Sequence, residues 1–141
     1  MARDLYMLGL IVKDMGRSLA FYRRLGLAIP EGGEEKTHVE IKMGTGLTFF
    51  LDSRPERWDP RYRAGDTPIV SDTMPDYRAI LEFYLISQAA VQSAYTELTG
   101  YGYAGRRSPY ETSFGMCFAM VDDPDGNTIL LSGQLDGAPG T

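Results

Sequence analysis

Cysteine and histidine are nearly missing from this sequence, which has one of each, Cys117 and His38. A single cysteine excludes an intrachain disulfide, and with only one histidine no Cys/His zinc site can be assembled. Basic residues are also short: 14 lysines and arginines stand against 19 aspartates and glutamates, for a net charge of −5 and a pI near 4.8. That balance argues against a nucleic-acid partner, which needs clustered positive charge, and suits a cationic or neutral ligand. Long apolar runs are lacking too. The longest early one, residues 5–12, is too short for a membrane span and carries none of the flanking features of a signal peptide. No membrane partner is expected, and the expected location is the cytoplasm, which suits an unpaired thiol.

What the chain does have is a periodic apolar pattern, 43% hydrophobic over 141 residues, enough for one domain spanning 1–141 with a buried core. Residues 5–12 alternate as a strand, Asp14 caps a helix over 15–25, and Gly26 stops it. Residues 37–43 alternate again, and Gly44, Thr45 and Gly46 turn the chain into a strand over 47–52. Residues 53–76 break the rhythm with four prolines and dense charge, and read as a linker or lid holding the only tryptophan, Trp58. The pattern then returns: a strand at 77–85, a helix capped by Ser87, a polar strand from 105, and a strand over 115–122. The turn at Asp123, Pro124, Asp125, Gly126 and Asn127 leads into a last strand, and residues 134–141 read as a frayed tail. A shift of 73 residues places Leu8 on Leu81, Leu10 on Phe83, Tyr22 on Tyr95 and Leu25 on Leu98. The chain is therefore read as α+β, with two βαβββ repeats at about 5–52 and 77–133 joined by the linker.

A duplicated βαβββ unit whose first strand runs into VKDMGRSLAFYRRLGL and whose last hairpin reads DDPDGNTILL resembles the vicinal oxygen chelate superfamily, the group of the glyoxalase, bleomycin-resistance and extradiol dioxygenase proteins. The resemblance implies a curled half-barrel cup with the helices on its outer face. It also implies four metal-holding positions, on the first and last strands of each repeat. Carried over, these fall on Met7, Phe50, Ile80 and Leu130. All four are apolar, and hard divalent ions need oxygen or imidazole donors. The expectation is no metal and no cofactor, with a resemblance to the metal-free, bleomycin-resistance-like branch.

Strand alternation from Met7 lines the cup. The first repeat contributes Met7, His38, Glu40, Lys42, Thr48 and Phe50. The second contributes Arg78, Ile80, Glu82 and Tyr84, then Met116, Phe118 and Met120, then Leu130. Mostly apolar walls with a few polar groups suit a small molecule, although the same side chains could close on each other as core. Glu40 with Lys42, and Arg78 with Glu82, sit two apart and read equally as surface pairs, and Arg106-Arg107 as a solvated basic spot. Trp58 either closes over a ligand or anchors the linker to the body or to a second subunit. The expected function is sequestration of an amphipathic, partly aromatic ligand by a homodimer. The alternative is a metal-independent lyase or isomerase using His38 with Glu40 or Glu82 as acid and base.

Overall fold

A computed structural model describes residues 2–62 and 79–137. The chain divides into two compact units, Met1–Val70 and Ser71–Thr141. The fold is α+β, and among the described residues there are two α-helices and two sheets, neither closed on itself. Arg78, most of the linker and residues 138–141 lie outside the described residues.

The first unit runs β1 (Met7–Ile11), α1 (Met15–Leu25), β2 (His38–Lys42) and β3 (Thr48–Asp52). The helix begins where Asp14 accepts the Arg17 N–H at 3.1 Å, satisfying a donor that has no partner inside the helix. It ends at Gly26, whose φ of 110° is open to a residue without Cβ. Its inner side buries Leu19, Phe21 and Tyr22 completely. The Tyr22 ring meets Phe49 edge-on at 5.4 Å, which joins the helix to β3. Burying side chains of this size contributes about 1.5–3 kcal/mol each. The β2 strand alternates as its sequence does, with Val39 and Ile41 buried and His38, Glu40 and Lys42 exposed. Sheet order is β1-β3-β2, with β1 parallel and β2 antiparallel to β3.

The second unit runs β4 (Ile80–Ser87), α2 (Gln88–Gly100), β5 (Gly105–Glu111), β6 (Met116–Asp122) and β7 (Thr128–Gln134), in sheet order β4-β7-β6-β5. Ser87 caps α2 by accepting the Ala90 N–H at 3.1 Å. Val91 and Leu98 of the helix are buried, as are Cys117, Ala119, Val121, Ile129 and Leu131 on the sheet face toward it. The 123–127 turn is held by the Asp123 carboxylate, which accepts the N–H groups of Asp125 and Asn127 and the Asn127 amide.

The two units share one register. Met7 pairs with Thr48 and Gly9 with Phe50; Ile80 pairs with Thr128 and Glu82 with Leu130. Among the described residues they differ by one strand. The second unit carries the full βαβββ order, whereas residues 26–37 of the first supply no counterpart of β5. Pro30 and the Gly32-Gly33 pair replace the alternation a strand needs, and a 3-10 turn (Gly33–Glu35) forms instead. The tail starts later than its composition suggests: Gln134 belongs to β7, and the Leu135 N–H reaches the Gly115 carbonyl at 3.1 Å. Among the described residues no helix is long and apolar enough to cross a membrane.

Among the described residues, one other than glycine has a positive φ. Ile86, 70% exposed, sits at φ 79° in the irregularity of β4 between Tyr84 and Ser87. A β-branched residue held there costs on the order of 1–3 kcal/mol. Ile86→Asn, which tolerates that conformation and forfeits little buried surface, is expected to raise unfolding stability in urea by about 1 kcal/mol. A loss of stability instead would mean that the Ile86 side chain is covered by another surface in solution.

Candidate functional site

In the first unit, pairing and alternation put Met7, Gly9, Thr48, Phe50, Asp52, His38 and Glu40 on the sheet face opposite α1. Phe50 lies flat across its β1 neighbour. A Cβ on Gly9 would collide with the Phe50 ring, so the glycine is what lets the ring cover the sheet there. His38 stands beside that ring, centroids 5.0 Å apart.

His38 is held at both ends. Its Nδ1 lies 2.8 Å from Asp52 Oδ2, across the β2–β3 pair, and its Nε2 lies 3.0 Å from Glu40 Oε2, two residues along the same strand. Asp52 also accepts the Trp58 indole N–H on Oδ2 at 2.9 Å and the Arg54 N–H on Oδ1 at 2.8 Å. Its side chain is 3% exposed, so three donors take the place of water around a buried carboxylate. Trp58 therefore anchors the start of the linker to the body of the first unit. Next to this chain of contacts lies a hollow of about 340 Å³ lined by Thr37, His38, Asp52, Arg57 and Trp58.

In the second unit the face opposite α2 carries Ile80, Glu82 and Tyr84 from β4, Leu130 and Ser132 from β7, and Met116, Phe118 and Met120 from β6. Ser132 donates its hydroxyl to Glu82 Oε2 at 2.8 Å. Phe118 is met edge-on by Tyr110 at 6.0 Å and by Phe114 at 5.7 Å. Leu130 and Met120 are buried, while Glu82 and Tyr84 are exposed.

Most of the residues read from alternation thus fall on the predicted faces, divided between the two units; Arg78 is outside the described residues. Glu40 bonds His38 rather than pairing with Lys42. Arg106 is not a solvated cation, because it grips Asp122 through Nε at 2.7 Å and Nη2 at 3.2 Å; Arg107 covers the Tyr110 ring at 3.7 Å. Cys117 is buried on the helix side, and burial foremost, with Glu111 and Asp136, pushes its thiol pKa up and away from reactivity. The sequence pattern does not single out Asp52, Thr37 or Arg57. A signal for Asp52 was present, since it stands two residues from Phe50 and so shares its face, but no rule of alternation says that it meets His38.

The four positions that the resemblance assigns to a metal lie on these two faces. Met7, Phe50, Ile80 and Leu130 bring no oxygen or imidazole donor, and at Phe50 a ring fills the space above Gly9. Hard divalent ions do not fit that donor set. The nearby His38, Glu40 and Asp52 do not converge either, because the two carboxylates bond opposite edges of the imidazole. Among the described residues no three metal-ligating side chains form such a group.

A sequence model of the Glyoxalase/Bleomycin resistance protein/Dioxygenase superfamily matches residues 5–131. Among solved structures, the chain is similar to a glyoxalase/bleomycin resistance protein/dioxygenase family enzyme from Burkholderia phytofirmans PsJN, with 18% identity, a TM-score of 0.75, and 94% of this chain and 100% of that one covered. A glyoxalase-related enzyme from Fulvimarina pelagi is similar at 16% identity and TM-score 0.72, over 94% of this chain and 89% of that one. A lactoylglutathione lyase from Agrobacterium tumefaciens is similar at 21% identity and TM-score 0.62, over 94% of each. At these identities the likeness shows the fold alone. No curated protein matches the chain.

The His38 contacts make stability depend on pH. Burial disfavours the imidazolium, but the hydrogen bonds and charges of Glu40 and Asp52 outweigh it and hold the His38 pKa above its ordinary value. For Asp52, burial pushes the pKa up, and the Trp58, His38 and Arg54 donors more than reverse this, leaving it below the usual range. A raised histidine pKa contributes stability in full below about pH 6.5, and that contribution is lost as pH rises through the folded value; a lowered aspartate pKa contributes above about pH 3.9 and is lost as pH falls through its folded value. The stability advantage of the native chain over His38→Gln is therefore expected to be largest near about pH 5–6 and to shrink toward about pH 9. Urea denaturation of both chains across that range measures it, and an advantage that grows with pH would contradict the contact scheme.

Proposed function

The chain belongs to the Glyoxalase/Bleomycin resistance protein/Dioxygenase superfamily, and within it we propose that this protein is a metal-independent binder of a small amphipathic, partly aromatic molecule. The observation that carries this reading is the donor set: the four positions where the family would place a metal are Met7, Phe50, Ile80 and Leu130. Apolar groups there remove the Lewis acid on which metal-dependent chemistry would turn and leave surfaces suited to hydrocarbon and rings. In the second unit Met116 can adapt to an irregular ligand, and Phe118 and exposed Tyr84 offer ring faces. Glu82, oriented by Ser132, sets a negative charge among them and favours a cationic or neutral ligand. Binding is favoured over acid–base catalysis because both nitrogens of His38 already have carboxylate partners, which orients the ring but leaves no nitrogen free for a substrate.

The reading includes a homodimer. β4 is an edge strand of its sheet, and Ile80 and Tyr84 on it are 40% and 52% exposed, an apolar edge of the kind that association covers. Light scattering is expected to give twice the chain mass at micromolar concentration, and a monomer would remove this part of the proposal.

Elemental analysis after dialysis is expected to find no stoichiometric metal. One tightly held transition metal per chain, lost in His38→Ala, would overturn the reading. For the ligand, a naphthyl quaternary amine is expected to raise the melting temperature, since a compound that binds only the native state stabilises it. Glu82→Gln should weaken that cation while sparing its uncharged analogue. An equal effect on both would place Glu82 outside the site.

A further inference from the structure

The hollow beside His38 has some walls that are already committed and others that are open. Asp52 Oδ2 accepts two hydrogen bonds and Oδ1 a third, and both His38 nitrogens are bonded. The negative charges of Asp52 and Glu40 are both directed at the imidazole between them.

Arg57 is different. Its Nη1 donates to the neutral Thr37 hydroxyl at 2.6 Å, and among the described residues it makes no ion pair. Arg23, Arg54 and Arg106, by contrast, each face a carboxylate: Glu34, Glu56 and Asp122 respectively. Arg57 is thus a positioned cation on the wall of a hollow, without a counter-anion among the described residues. Trp58 beside it is 58% exposed although its indole N–H is tied to Asp52. The tie fixes one edge of the ring and leaves the aromatic surface open.

We propose that this hollow is a binding site for a small aromatic carboxylate, its ring against the Trp58 indole and its carboxylate on the Arg57 guanidinium. Guanidinium and carboxylate are both planar and can pair through two parallel hydrogen bonds, and indole is a large surface for a ring to stack on. A volume of about 340 Å³ is near the lower end for ligand cavities, which selects a single ring with a short acid arm. The site goes beyond the cation-favouring face of the second unit, since it uses none of that unit's residues and takes a ligand of opposite sign.

Trp58 is the only tryptophan, so its fluorescence reports on this hollow alone. The full chain would be titrated with benzoate, benzamide and phenyltrimethylammonium. Benzoate is expected to give a saturable change, with the neutral amide and the cation weaker by roughly tenfold or more. Arg57→Gln should lose roughly the same factor with an unchanged melting curve, and Glu82→Gln should leave benzoate affinity intact. Should Arg57→Gln fail to fold, Arg57→Lys, which keeps the charge without the paired donors, should still weaken benzoate more than it weakens benzamide. Benzamide binding as tightly as benzoate, an Arg57 substitution without effect, or no saturable response would each overturn the proposal. The naphthyl amine response, read by melting temperature in Arg57→Gln, fails or holds independently of these results.

Discussion

Asp52 is the point on which the first unit's polar chemistry depends. A carboxylate removed from water must find donors inside the protein, and it finds three: a ring nitrogen from β2, an indole from the start of the linker, and a backbone N–H two residues on. Each contact joins Asp52 to a different part of the chain. Because the carboxylate is buried, these contacts are stronger than similar ones at the surface would be, and removing any one would leave the charge undercompensated. The orientation of His38, the seat of Trp58 and the hollow between them all follow from that constraint.

The same strand frame carries different chemistry in the second unit. By register, Gly9 corresponds to Glu82, Phe50 to Leu130, and Asp52 to Ser132. Where the first unit has a glycine with an aromatic ring lying over it, the second has a glutamate reaching a serine hydroxyl. Opposite Asp52 stands His38, and opposite Ser132 stands Phe118, so one face gains a charged relay and the other an aromatic cluster with Tyr110 and Phe114. The backbone hydrogen bonds are indifferent to these exchanges, because a ladder is satisfied by main-chain groups whatever the side chains are. That indifference is what allows one duplicated architecture to diverge into two distinct surfaces.

The two units also show how little sequence it takes to keep the frame. Asp14 and Ser87 cap the two helices in the same way, a side-chain oxygen accepting the N–H three residues on, and the Asp123 carboxylate organises the last turn through three donors. Between those fixed points the apolar positions need only alternate or recur on one helix face. The missing counterpart of β5 in the first unit marks where that minimum fails: Pro30 and two adjacent glycines interrupt the pattern, and a short turn forms instead.

Local signals by themselves determined most of the elements and the faces of their strands, because period-two alternation, helix caps and turn residues act over a few positions and are written consecutively in the chain. They placed α1 between Asp14 and Gly26, and put Val39 and Ile41 in the core and His38 and Glu40 on the opposite face. Only the tertiary structure decided which side chains meet across strands. That Asp52 bonds His38 and Trp58 depends on strand register and on the path of the chain after β3, and that Arg106 bonds Asp122 depends on a ladder between residues 16 apart. Such pairings rest on distances between segments remote in sequence, where a side chain's partner is chosen by packing and desolvation and leaves no periodic trace in the residues themselves.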